Sequence, residues 1–141
     1  MFLIHTSADH AELLARAVVA TCGAQGWANP VQPRLLHTLF NNLLDQNLDF
    51  ETLAPIDLES VKRALPSEQE RLELIQLMCA IEVLANPLSP AVEQAVQHWA
   101  DELGVQERSL VFLRDIAAGE IERASVDFYR LNWIGELGEM D

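Results

Sequence analysis

Ala85-Asn86-Pro87-Leu88-Ser89-Pro90 is a near-copy of Ala28-Asn29-Pro30-Val31-Gln32-Pro33, displaced by a constant 57 residues (Asn29 to Asn86, Pro33 to Pro90). Proline drives the residue before it out of the α region, so each Asn-Pro pair reads as a corner and not as helix interior. At the same displacement Cys22 falls on Cys79, Val18 on Ile75, Leu35 on Val92, Leu39 on Val96 and Leu48 on Val105. Apolar positions thus keep register on both sides of the corner. The chain reads as one motif, helix, corner and helix, used twice.

Upstream of the first corner, Asp9-His10-Ala11-Glu12 fits a capping box, and Leu13, Leu14, Ala17, Val18 and Cys22 then fall on one helical face. Gly23 and Gly26 end that helix, and Trp27 is expected to pack over the turn. Pro33 suits the first turn of the next helix, where a missing N–H costs little. Its stripe is Leu35, Leu36, Leu39, Phe40, Leu43 and Leu44, and Asn41-Asn42 are expected to leave it unbroken. The first hairpin therefore spans about 9–47.

Residues 46–55 read as a connector, Asp57 as the cap of a short helix through Arg63, and Pro66 as its end. Ser67-Glu68-Gln69-Glu70 is a second capping box. The helix that follows carries Leu72, Ile75, Leu77, Met78, Ile81, Val83 and Leu84. Apolar over much of its circumference, it is expected at the centre. Ser89 as cap and Pro90 at the first helical position open the partner helix, with Val92, Ala95, Val96 and Trp99 inward and Gly104 just past its end. This second hairpin spans about 67–104.

Beyond it, Leu110, Val111, Leu113 and Ile116 are expected inward on a helix over 106–118 that Gly119 stops. A last helix from Glu120 would carry Ile121, Ala124, Phe128 and Leu131, so the C-terminal helices cover about 106–134. No period-two strand stands out. The expectation is an all-α fold: one domain over 1–141, a compact bundle of about six or seven helices, two duplicated hairpins and a C-terminal helical extension.

Nine Lys and Arg stand against 22 Asp and Glu, a formal net charge of −13. Such a surface repels phosphate backbones, so nucleic acid is excluded as a partner, whereas a basic patch on another protein is attracted. No run of apolar residues is long enough for a spanning helix or a signal peptide, so direct membrane insertion is not expected. Two cysteines in apolar helical stripes do not make a secreted disulfide framework, which favours a cytoplasmic location.

Little in the sequence points to chemistry. His5, His10, His37 and His98 form no His-x-x-x-His pair, and Cys-x-x-Cys is missing, so zinc has no support. Next to Trp99, Asp101 and Glu102, His98 is the best furnished of the four. Cys22 and Cys79 read as core residues before they read as a redox pair, since neither has a Lys or Arg close by in sequence to lower its pKa. Glu70, Glu73, Glu82 and Glu93 lack the Glu-x-x-His pairs of a di-metal bundle. No cofactor and no catalytic residue is implied. Phe128, Tyr129, Arg130 and Trp133 concentrate residue types enriched at interaction hot spots; they read either as a protein-binding surface or as a lid on the bundle.

From Ala85-Asn86-Pro87-Leu88-Ser89-Pro90-Ala91-Val92-Glu93 to Leu103-Gly104-Val105, the second hairpin resembles the TerB-like tellurite-resistance family. Leu88 takes the family's hydrophobic turn position, Glu93 matches its Glu seven residues after the turn acid, and Leu103-Gly104 matches the helix end. The resemblance covers about 10–115. Asn86 and Pro87 replace the family's Asp and Gly, and in the first copy Asn29, Pro30 and Leu36 replace Asp, Gly and Glu. A hard cation wants several carboxylate oxygens, so no metal site is expected at these turns, where Asn86 and Glu93 are the candidate ligands that remain. The resemblance implies a non-enzymatic protein-interaction module of a bacterial stress-response type, with a protein partner such as a basic surface or a membrane-associated assembly. It leaves a homodimer open. The alternative is a small-ligand or divalent-metal sensor using the acidic helix-turn positions.

Overall fold

The computed structural model of the protein describes residues 8–85 and 89–119. They are helical, without strands among the described residues: α1 (Ala8–Cys22), α2 (Val31–His37) running into a π-helical turn (Thr38–Leu43), α3 (Leu58–Ala64), α4 (Glu68–Glu82), α5 (Pro90–Glu102) and α6 (107–119). Helix α1 packs on α3, α4 and α5, and α4 packs on α5. None of the described helices is long and apolar enough to cross a membrane.

The all-α reading holds, and α4 is the centre. Leu74, Ile75, Leu77, Met78, Cys79 and Ile81 are fully buried, meeting Leu14, Val18 and Cys22 of α1 and Val96, Ala100 and Leu103 from the α5 side in one apolar cluster. Each large side chain buried there contributes roughly 1.5–3 kcal/mol, which outweighs any single cap. The second motif, α4 and α5, repeats the helix–corner–helix order of α1 and α2, although its corner residues 86–88 lie outside the described residues.

Local chemistry sets most helix ends where the sequence placed them. Ser67 Oγ accepts from the Glu70 N–H (3.1 Å) and donates to the Glu70 carboxylate (2.8 Å). Asp57 accepts from the Ser60 N–H (3.0 Å) and hydroxyl (2.7 Å). Ser89 caps α5 ahead of Pro90. At the end of α5, Gly104 takes φ +79, its N–H reaches Asp101 O (3.1 Å) and that of Val105 reaches Ala100 O (2.8 Å), a Schellman closure. Gly23 is required by crowding, because a Cβ there would lie 2.8 Å from the Trp27 ring. Trp27 does lie over the turn, its indole N–H donating to Phe50 O (3.1 Å).

Three expectations are corrected. Helix α1 already includes Ala8, so Asp9 lies inside it and is not its cap. The stripe of the second helix is not one unbroken α-helix to Leu44: it widens into π geometry at Thr38–Leu43, Asp45 turns to φ +54, and Gln46 N–H bonds back to Phe40 O (3.0 Å). The reason is Asn41, whose side-chain amide pairs with both the N–H and the C=O of Leu48 (2.8 Å each) and so draws the returning chain onto the helix. Third, Val111 does not face inward: it is 52% exposed, while Leu110 and Ala117 of the same helix are buried.

Candidate functional site

The first corner, around Asn29 and Gln32, meets the C-terminal end of α4. Asn29 Oδ1 accepts from the Val31 and Gln32 N–H groups (3.0 and 3.3 Å), opening α2, while its Nδ2 donates to Leu84 O (2.7 Å). Gln32, fully buried, donates to Ile81 O (2.9 Å) and accepts from the Ala28 N–H (2.9 Å). Helix C-termini leave carbonyls without intrahelical partners. The first corner supplies those partners for the end of α4.

Beside that end is an ion pair with a buried carboxylate and a partly exposed guanidinium. Glu82, in the last turn of α4 and 2% exposed, accepts from Arg114 Nε (3.0 Å) and Nη2 (2.9 Å). Arg114 Nη2 also donates to Glu93 O (3.0 Å), so one guanidinium joins α6 to α4 and α5. Burial pushes the Glu82 carboxyl above the usual carboxylate range, an effect that the Arg114 hydrogen bonds and charge oppose without cancelling. Burial likewise pushes Cys22 up to about 12, and Cys79 to about 12 with help from the Glu82 charge. Both thiols stay protonated at neutral pH and pack as small apolar groups, Cys22 Sγ lying 3.8 Å from Met78 O.

Two more cations hold backbone ends together. Arg71 donates to Leu65 O (2.7 Å), Lys62 O (3.0 Å) and Leu103 O (3.3 Å), tying the ends of α3 and α5 to α4. Arg16 donates to Ala54 O and Pro55 O (3.1 and 3.2 Å), seating the connector on α1. On the outside, Lys62 bonds Glu102 (2.7 Å).

The surface carries an open groove and an apolar pair. The groove, about 320 Å³, runs between the α1 end and the α5 start, with Trp27, Ala20, Ala24, Ala91, Val92 and Ala95 on its walls. The pair is Val111 and Phe112 on the outer face of α6, 52% and 63% exposed.

The sequence candidates fare differently. Glu93 is half-buried on α5, and what engages it is its backbone oxygen, through Arg114. Among the described residues no three His, Cys, Asp or Glu side chains gather as metal ligands. Asn86, Phe128, Tyr129, Arg130 and Trp133 lie outside the described residues. His98 is exposed, and His10 instead contacts Glu70 (3.2 Å). Sequence reading missed the Glu82–Arg114 pair and the Asn41 anchor. A signal for the first was present: Arg114 falls on the same stripe of α6 as Leu110 and Ala117, an unpaired cation on an apolar face.

No protein-family model, curated protein or solved structure matches the chain.

Proposed function

We propose that the chain is a non-enzymatic protein-interaction module of the stress-response type implied by its TerB-like resemblance, and that Val111 and Phe112 of α6 are its docking face. The observation that carries this reading is the outward pair itself. A phenylalanine 63% exposed beside a valine 52% exposed, on a helix that buries Leu110 and Ala117 on its other side, is apolar surface left to water. With a net charge of −13, the favoured partner presents an apolar pocket rimmed by Lys and Arg. Arg108 and Asp115, both exposed on the same face, would set its register. The aromatic segment 127–134 is separated from α6 by the seven residues 120–126, and we assign it to the same proposed interface.

The test is affinity capture with the wild-type chain and with Val111→Ser/Phe112→Ser, followed by titration of the purified partner against both. An aromatic anchor at the centre of an interface is worth about 2 kcal/mol or more, so the double substitution is expected to weaken binding by roughly thirtyfold. Equal affinity for both chains would remove this face from the reading. Loss of self-association alone, seen by sedimentation, would make the partner a second copy.

A further inference from the structure

We propose that α6 is a detachable element, clamped by Arg114 and hinged at Gly104, that opens from the α1–α4–α5 core while the core stays folded. Among the described residues, every side-chain hydrogen bond between α6 and the rest of the bundle comes from Arg114: two to Glu82 and one to Glu93 O. The apolar seat is narrow. Leu110 and Ala117 are buried and Leu113 packs partly, whereas α4 buries most of its length. The connector Gly104-Val105-Gln106 begins at a left-handed glycine, where a change of φ meets no Cβ. An element with few buried apolar groups and one polar clamp belongs to the low-stability end of a fold.

The two halves of the clamp are not equivalent. Removing Arg114 strands a buried carboxylate and also frees Glu93 O. Replacing Glu82 by Gln leaves a side-chain oxygen to accept from the guanidinium, and the bond to Glu93 O survives. The cation therefore carries the attachment. Opening of α6 does not depend on what Val111 and Phe112 dock against.

Native-state hydrogen exchange on the full chain tests this. In Arg114→Met the amides of 107–119 are expected to exchange roughly tenfold faster or more than in wild type, with α1 and α4 unchanged, and in Glu82→Gln to stay within about threefold. Acceleration of α1 and α4 together with α6, or no acceleration of α6, would overturn the proposal. Wild type in low urea gives a check that needs no variant. Opening of α6 should show a weaker urea dependence than opening of α4, because less surface is uncovered. Equal dependence would mean that the bundle opens only as a whole.

Discussion

Arg114 and Glu82 are 32 residues apart in sequence and 2.9 Å apart in space, and the energetics of that pair decide how stability answers to pH. Glu82 has its carboxyl held above the ordinary 4.5 by burial. A carboxyl raised in the folded state contributes stability below its unfolded value, and that stability is lost as pH rises through the folded value. Glu82→Gln removes this titration. Its stability relative to wild type is therefore expected to improve as pH climbs above 4.5, measured by urea unfolding of both chains at several pH values. A stability difference that is constant with pH, or that shifts in favour of wild type as pH rises, would contradict the assignment. Asp57 and Glu102 act in the opposite sense: the Ser60 hydrogen bonds and the Lys62 hydrogen bond, respectively, lower them, so their stabilisation fades as pH falls. At this scale the caps were legible, because Ser67 and Glu70, or Asp57 and Ser60, are three residues apart. For the ion pair only half was legible: Arg114 on the apolar stripe of α6 called for a partner, but nothing local named Glu82 of α4 as that partner.

Among the elements, α2 and its π-helical end show where periodic reading stops working. The stripe from Leu35 to Leu44 is helical in spacing, yet a stripe reports only which face is apolar, and both α and π turns satisfy it over one turn. What selects the wider turn is Asn41 binding Leu48 seven residues on. Asn41→Ala leaves the Leu48 N–H and C=O without these partners and is expected to cost about 1–3 kcal/mol, read as a lower urea midpoint at unchanged slope. An unchanged midpoint would show that Asn41 follows the turn and does not cause it. In α6 the helical period itself argues against an inward Val111: at about 100° per residue Leu110, Leu113 and Ile116 share one face, and Val111 lies roughly 160° from its centre, on the side where it and Phe112 are exposed.

Across the whole molecule, the first copy of the hexapeptide shows how a chain with only local helix signals closes on one core: through Asn29 and Gln32 it binds the end of α4, the helix that packs on both α1 and α5. That contact was beyond the reach of sequence reading, which recognised the two corners as similar but had no means of placing one against the other. The measurement that tests the account most directly is a nuclear Overhauser spectrum of the side-chain amides. Contacts from Asn29 to the backbone around Leu84 and from Gln32 to the backbone around Ile81 are the predicted result. Intact α1, α4 and α5 with neither contact present would contradict it.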